Sequence, residues 1–321
     1  MLKTINQRLE KMMPFITPTG VILGVLFASY LKDYSYLIPW IFAFMTFSGS
    51  LSSNFSSLRE AIVHPYPIFI AIMILHIIMP IWAWGIGHLA FSGDAYTITG
   101  LVLSMVIPTG ITSFIWVSIY KGNIPVTLCI ILIDTLLSPL IVPWSLSLFI
   151  GQKVHIDGLG IMFGLMKMVV IPSLLGMLLN QFTKGKVKDV LSPKLAPFTK
   201  ASLGIVVMLN GAVVAPYLKH ISLKLAGIIA VVFFIALTGY LLSYVIGRVL
   251  KRDKETTVSL IFTGGMRNIS AGAVLAVSYF PAAVAVPVVV GMLFQQVLAS
   301  LNGLLLNGIF YKRDKSQSAA I

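Results

Sequence analysis

The run from Phe262 to Gly272 (FTGGMRNISAG) places polar residues, three glycines and a guanidinium inside an otherwise apolar segment. A guanidinium at the centre of a bilayer costs roughly 2.5–3.5 kcal/mol unless a nearby group pairs with it. Glycines let a helix break at that depth and turn its backbone groups toward a cavity or a ligand. These residue types therefore predict a binding site within a membrane, of the kind used for transport, with Arg267 as its charged group.

The composition places the chain in a membrane. Of its 321 residues, 58% are hydrophobic and 10% are charged, whereas soluble proteins average about 25% charged residues. Apolar stretches of about 20 residues, the length that crosses a bilayer, recur along nearly the whole sequence. We therefore predict an all-α membrane protein without a separate soluble domain. The single cysteine, Cys129, excludes an internal disulfide and a multi-cysteine metal site.

Ten segments are predicted to be transmembrane helices. They cover residues 14–31, 37–53, 65–88, 97–120, 124–149, 158–181, 199–217, 222–248, 256–279 and 282–310. With this assignment, 17 lysines and arginines lie at or beyond the segment ends on one side and four on the other. The positive-inside rule then puts both termini in the cytoplasm, as expected for a multi-pass protein of the cell (inner) membrane. The net charge of +13 is explained by topology and lipid contact, so no nucleic-acid partner is predicted. Residues 1–13 show no small-residue cleavage site, which predicts that the first helix is retained.

The two halves of the sequence contain similar interrupted segments. Pro108-Thr109-Gly110 in the fourth segment and Phe262-Thr263-Gly264 in the ninth both place Thr-Gly ahead of polar residues, 154 positions apart. Because five segments per half is an odd number, the second half enters the membrane in the opposite orientation. We predict two inverted five-helix repeats, residues 1–152 and 153–321, whose discontinuous helices 4 and 9 meet at a site at mid-membrane. The plainer alternative is that Gly and Pro are simply common in membrane helices.

Asp134 is a second charged residue within a predicted span. Thr127, Asp134 and Ser138 are spaced at i, i+7 and i+11 and therefore share one face of a helix. Arg267 is the predicted partner of Asp134, because a lone charge is costly in a membrane. Two interpretations remain open. Either the two residues help to bind an organic anion or replace a coupling cation, or they form a static ion pair that joins two helices.

Four further polar residues within predicted spans also have two interpretations each. Lys167 either extends to an interface or faces a cavity. His76 is either a proton carrier, since histidine ordinarily titrates near neutral pH, or a buried histidine hydrogen-bonded to a carbonyl group. Gln295 and Gln296 either line a transport pathway or join neighbouring helices.

Several motifs, taken in order along the chain, resemble the bile acid:sodium symporter family. They are residues 44–51 (FMTFSGSL), Leu58-Arg59-Glu60, Met79-Pro80, Pro108 to Ser113, Lys121-Gly122-Asn123, Ser138-Pro139 and Gly265-Met266-Arg267-Asn268. The resemblance implies a panel domain of helices 1, 2, 6 and 7 and a core domain of helices 3–5 and 8–10. It also implies that helices 4 and 9 cross in the core, that substrate binds between the domains, and that the core moves against the panel.

The resemblance also implies sodium sites, and most of their ligands are replaced here. The family's ligands fall on Ser113-Phe114, Thr127, Ile131, Thr263, Arg267 and either Leu75 or His76. Hydroxyl groups remain at Ser113 and Thr127, but an amide, a second hydroxyl, a glutamate and a glutamine have been lost. Sodium needs about five or six oxygen ligands, and a guanidinium repels a cation. We therefore predict a degraded sodium site, no cofactor, and Arg267 acting as a built-in cation.

The predicted substrate is a small organic anion, either a small carboxylate or a bile-acid-like molecule. Helix N-termini at the two breaks carry partial positive charge, and Asn268 and Thr112 add polar groups. The predicted substrate or ion site comprises Arg267, Asn268, Met266, Gly265, Thr263, Ser113, Thr112, Thr127 and Asp134, with His76, Gln295, Gln296 and Lys167 as further candidates.

Several rival functions follow from the same residues. A sodium-independent or proton-coupled carrier, an exporter of an organic anion or of arsenite through Cys129, and a non-transporting sensor are the alternatives. The sequence contains no His-Glu-x-x-His, paired aspartates or Gly-x-Ser-x-Gly, so an enzyme is not predicted.

Overall fold

The computed structural model describes residues 15–53, 55, 63, 65–151, 154–219, 222–306 and 308. Both termini and the motif Leu58-Arg59-Glu60 lie outside the described residues. The helices are α1 Phe15–Leu26, α2 Ala28–Leu31, α3 Ile38–Ser50, α4 Pro65–Ala90, α5 Ala95–Val106, α6 Thr112–Ile119, α7 Ile124–Ile150, α8 Gly158–Phe182, α9 Lys186–Val190, α10 Ser192–Leu218, α11 Leu223–Val249, α12 Lys254–Gly265, α13 Ile269–Tyr279 and α14 Ala282–Leu306. A 3-10 turn, Lys32–Leu37, connects α2 to α3.

The helices of the described residues are those of a multi-pass membrane protein. By length and apolar composition, seven segments qualify as membrane-crossing: α4, α7, α8, α10, α11, α14 and the span Lys254–Tyr279, which contains both α12 and α13. The bent pair Phe15–Leu26 and Ala28–Ser50, with an angle of 86°, would add an eighth. Each of the ten predicted segments contains at least one helix, but the sharp bend falls at residue 27, inside the first predicted segment.

Short polar side chains fix where many helices begin. Asp94, Asn123, Asp157, Ser222 and Asp253 each accept a hydrogen bond from the backbone N–H three residues further on. Such N-caps satisfy an amide group that the first helical turn leaves without a partner. The ends of these helices are thus determined by local sequence, at the points where the chain turns.

Both predicted interruptions are present, and they are built differently. Between α5 and α6 the chain is extended at Ile107, which precedes Pro108, as expected because proline disfavours the helical conformation of the residue before it. Between α12 and α13 the chain is extended at Met266, and the side chain of Asn268 caps the new helix. A proline makes the first break. A glycine pair followed by a capping asparagine makes the second.

The two breaks are held against each other by the surrounding helices. Helix α5 packs on α4, α7 and α14, while α12 packs on α11 and contacts α6 and α7. Helix α3 packs on α8 and α10 in a second group. At the meeting point the backbones come so close that a Cβ atom at Gly110 would lie 2.8 Å from the carbonyl oxygen of Arg267. Only glycine fits that approach without displacing backbone.

Gly110→Ala is therefore expected to destabilise the protein by about 1–3 kcal/mol, the usual range for overpacking a close contact. Gly85→Ala is the matched control, because a Cβ at Gly85 in α4 meets nothing within 4 Å. Thermal unfolding of the two purified variants in detergent measures the difference. Equal unfolding temperatures would show that the backbones do not approach this closely.

Candidate functional site at the two helix breaks

Hydrogen bonds join the two breaks directly. The backbone N–H of Asn268 donates to the carbonyl oxygen of Pro108 at 2.7 Å. The hydroxyl of Thr109 lies 2.9 Å from the carbonyl oxygen of Thr263 and 3.1 Å from that of Met266, so its one proton is shared between them. Backbone groups that a break releases inside a membrane must find protein partners. Here each break supplies partners to the other.

Arg267 is buried between the ends of two helices, with 2% of its surface exposed. Its Nε donates to the carbonyl oxygen of Met105 at 3.1 Å, and its Nη1 donates to those of Gly264 at 2.8 Å and Met266 at 3.2 Å. These carbonyl groups lie at the C-terminal ends of α5 and α12, where the helix dipole favours a positive charge. The guanidinium therefore occupies a cage of backbone oxygens. Its Nη2 is buried and has no hydrogen-bond partner among the described residues.

The predicted ion pair between Asp134 and Arg267 is wrong. The Oδ1 of Asp134 lies 2.5 Å from Nε2 of His76, and its Oδ2 accepts the backbone N–H of Thr109 at 2.6 Å. Arg267 turns instead to the backbone carbonyl groups, and the two residues interact only as charges beyond hydrogen-bonding distance. The acid therefore pairs with the imidazole and not with the guanidinium.

His76 reaches Asp134 from a helix with a local irregularity. It lies in a π-helical turn of α4, Ile74–Ile78, and is buried, with 7% of its surface exposed. Such turns insert an extra residue and are common at functional sites. The prediction that His76 bonds to a carbonyl group is wrong, because its Nε2 contacts the carboxylate of Asp134. Its second ring nitrogen, Nδ1, is buried and has no partner among the described residues.

A cavity of about 290 Å³ lies beside the meeting point of the breaks. Residues of α3, α8 and α10 form one wall, and residues of α7 and of the two breaks form the other. Most of the lining is apolar, and Thr112 and Asn268 are among its polar residues. Among the described residues of the lining, Lys200 of α10 is the charged one. A chamber with a mostly apolar surface, many hydroxyl groups and, among the described residues, one cation suits a small organic anion.

The other predicted hydroxyl residues face away from the cavity. The hydroxyl of Thr127 donates to the carbonyl oxygen of Asn123, and that of Thr263 donates to Ser259, each at 2.8 Å within its own helix. Ser113 is buried, and its hydroxyl has no partner among the described residues. The hydroxyls of Thr127 and Thr263 thus bond to the backbone of their own helices and do not form part of one binding site.

The remaining predicted site residues join helices or lie on the surface. Gly265 packs against the ring of Tyr240. Gln295 accepts the backbone N–H of Arg267 at 3.0 Å, and Gln296 accepts the indole N–H of Trp116 at 3.2 Å. Lys167 is exposed on α8 and is not among the residues that line the cavity.

Sequence reasoning missed Lys200 as a site residue. The predicted seventh segment began at residue 199, which placed Lys200 at a membrane surface, whereas α10 begins at Ser192 and carries Lys200 within the helix. Pro193 in the first turn is a helix-start signal. Had this signal been used, the predicted start of the seventh segment would have lain near Ser192, and Lys200 would have been placed inside the helix.

Apolar spanning helices and two interrupted helices that meet beside a cavity are typical of secondary transporters. Residues 39–221 match the family model described as the Sodium Bile acid symporter family. The chain belongs to this family, as the sequence motifs predicted.

The relatives span a wide range of similarity. "Uncharacterized protein YbaS" of Bacillus subtilis (strain 168) is 60% identical over 92% of this chain and 96% of its own length. "Uncharacterized sodium-dependent transporter YocS" of the same organism is 24% identical over 97% of this chain and 96% of its own length. "Probable sodium/metabolite cotransporter BASS1, chloroplastic" of Arabidopsis thaliana is 24% identical over 92% of this chain and 73% of its own length.

Thr109→Val removes the hydroxyl that bridges the breaks while keeping the shape of the side chain. We expect a loss of about 1–3 kcal/mol of stability, because buried carbonyl groups lose a partner. Thr99→Val is the matched control, since the buried hydroxyl of Thr99 bonds only to Ala95 in its own helix. Unfolding of both variants in detergent provides the comparison. If the two lose the same stability, the Thr109 bridge contributes nothing of its own.

Proposed function

We propose that this protein carries a small organic anion across the cell (inner) membrane by alternating access, without sodium as the coupling ion. The observation that carries the proposal is the position of Arg267. Its guanidinium fills a cage of three backbone carbonyl oxygens at the meeting point of the breaks. The cage sits next to the cavity wall formed by Thr109 and Asn268.

The donor set around Arg267 does not suit a sodium ion. Sodium requires about five or six oxygen ligands, usually with an anionic one among them. The carbonyl groups of Gly264 and Met266 already accept hydrogen bonds from Nη1, and Thr263 directs its hydroxyl to Ser259. A permanent positive charge at this place repels a second cation. Arg267 is thus a fixed substitute for a mobile ion.

The packing of the helices supports the domain arrangement that the family resemblance implies. Helices α1 to α3, α8 and α10 would form the panel, and α4 to α7 and α11 to α14 the core. The close packing of α3 on α8 and α10 favours this division, and the cavity lies between the two groups. Ten spans in inverted repeats of residues 1–152 and 153–321, with both termini cytoplasmic, complete the proposal.

The cavity favours a small carboxylate over a bile-acid-like molecule. Its volume of about 290 Å³ is just below the range for small-molecule sites, about 300–1,000 Å³. Lys200 supplies a positive charge in one wall, and Thr112 and Asn268 supply polar groups in the other. A monocarboxylate with a short apolar body matches this distribution.

Sodium independence is tested by a thermal-shift screen of the purified protein with pyruvate, lactate, 2-oxoglutarate and taurocholate. We expect at least one small carboxylate to raise the unfolding temperature, because a ligand that binds only the folded state stabilises it. The shift should be the same in sodium chloride and in choline chloride. Stabilisation only in sodium, or uptake into proteoliposomes that rises steeply with a sodium gradient, contradicts the proposal. Binding without flux would indicate a sensor.

Lys200→Gln is expected to weaken binding of the stabilising carboxylate by about tenfold or more, because a hydrogen bond to a charged group is worth about 1.5–3 kcal/mol. Lys194→Gln removes the same charge from an exposed position on the same helix and is the control. Calorimetric titration of both variants gives the affinities. Equal affinities would place the anion away from Lys200.

A further inference from the structure

We propose that His76 and Asp134 form a proton-binding site that couples proton movement to the movement of the anion. This inference rests on the proposed function, since it supplies the coupling ion for that transport. The pair lies outside the guanidinium cage, and no sodium ion is needed for it to act.

The geometry of the pair is that of a buried acid and base in contact. The imidazole Nε2 and the carboxylate Oδ1 are 2.5 Å apart, and Asp134 is fully buried. Nothing else among the described residues bonds to the imidazole, whose Nδ1 is left without a partner. Ionisable residues buried at membrane depth are costly and typically mark proton or ion pathways.

The pair is one hydrogen bond away from the cavity. The Oδ2 of Asp134 accepts the backbone N–H of Thr109, and Thr109 lines the cavity. Ile131 and Thr135, which flank Asp134 on α7, line the cavity as well. The carboxylate therefore lies directly behind residues that line the cavity.

Few other charged or titratable groups surround the pair. Arg267 acts on Asp134 as a charge beyond contact distance, and the phenol of Tyr240 on α11 is near Arg267. Cys129 is buried on α7. Helix α5 contributes only Tyr96, which is exposed. Helix α8, which packs on α7, contributes Lys167, which is also exposed. The ionic side chains of α12, Lys254 and Glu255, lie in its first turn, away from the breaks.

The charges explain why a proton and an anion would bind together. A neutral imidazole with a carboxylate carries one negative charge, which balances Arg267. When the imidazole takes up a proton, the three side chains together carry one positive charge next to the cavity. An anion then binds more strongly, and by linkage the anion strengthens binding of the proton. The proton returns to solvent when the anion leaves, so one proton accompanies one monovalent anion.

Binding of this proton would also affect the hydrogen bonds at the point where the two breaks meet. Protonation changes how strongly the carboxylate accepts the N–H of Thr109, and the hydroxyl of that residue bridges to Thr263 and Met266. The state of the pair is thus linked by direct hydrogen bonds to both interrupted helices.

Nitrogen NMR of the full-length protein, labelled at its five histidines and held in lipid nanodiscs, tests the proton site without any substrate. Between about pH 5 and 8, where the charge of an imidazole ordinarily changes, we expect one of the pH-dependent signals to be absent in His76→Gln and displaced in Asp134→Asn. His88→Gln, further along α4, should leave that signal in place. A His76 signal that keeps one protonation state throughout this range would overturn the inference.

Calorimetric titration with pyruvate, lactate, 2-oxoglutarate and taurocholate tests the coupling. The affinity for a bound carboxylate should fall by about tenfold per pH unit once the pair loses its proton, as expected when one proton binds with one anion. In His76→Gln this dependence should be lost, and in His88→Gln it should be kept. An affinity that His76→Gln leaves equally pH-dependent overturns the coupling. If none of the four binds, the proposed function fails, while the NMR titration still decides whether the pair binds a proton.

Discussion

The structure depends on how two helices can be interrupted inside a membrane without leaving backbone groups unsatisfied. Backbone groups released inside a membrane need partners from the protein wherever they do not face a water-filled cavity. Asn268 donates its backbone N–H to Pro108, Thr109 offers its hydroxyl to the opposite break, and Arg267 binds carbonyl groups of both α5 and α12. Each break is stable because the other is present, so the two cannot be understood separately.

This requirement gives Arg267 a structural role that a mobile ion cannot fill in the same way. A guanidinium presents several N–H groups in a fixed plane, and here they satisfy carbonyl groups at the ends of two helices at once. The favourable end of each helix dipole offsets part of the desolvation of the charge. The same charge also contributes to the electrostatic potential in the neighbouring cavity.

Hydropathy and charge distribution predicted most of the helices. The bilayer sets the length of a spanning helix, and each span is a continuous run of apolar residues that can be recognised in the sequence. The breaks were also predictable, since Pro108 and the pair Gly264-Gly265 act on their immediate neighbours. The bend at Phe27 between α1 and α2 carries no comparable signal.

Side-chain partners were predicted less well, because they depend on how each helix is rotated about its axis. Charge alone suggested that Asp134 pairs with Arg267. Instead, His76 lies in the π-helical segment Ile74–Ile78 and contacts Asp134 on α7. No particular residue type predicts such a π-helical segment. Hydroxyl groups were similarly misleading. The hydroxyls of Thr127 and Thr263 donate to backbone carbonyl oxygens of their own helices, as threonine in a helix often does. A comparison of sequence motifs does not reveal such bonds.

A cation that is part of the covalent chain cannot leave with the substrate, and this has a consequence for the energy source. In a carrier whose coupling ion dissociates, the driving force is the gradient of that ion. If Arg267 replaces the ion permanently, the site is always charged, and uphill transport must draw on another gradient or be absent. Of the groups described around the breaks, the pair of His76 and Asp134 combines burial, a titratable base and a direct hydrogen bond to the cavity wall. A fixed charge and a titratable pair side by side would let the net charge of the site alternate between neutral and positive. Such an alternation would give the site a higher affinity for an anion in one state than in the other, which helps a carrier to bind the anion on one side of the membrane and release it on the other.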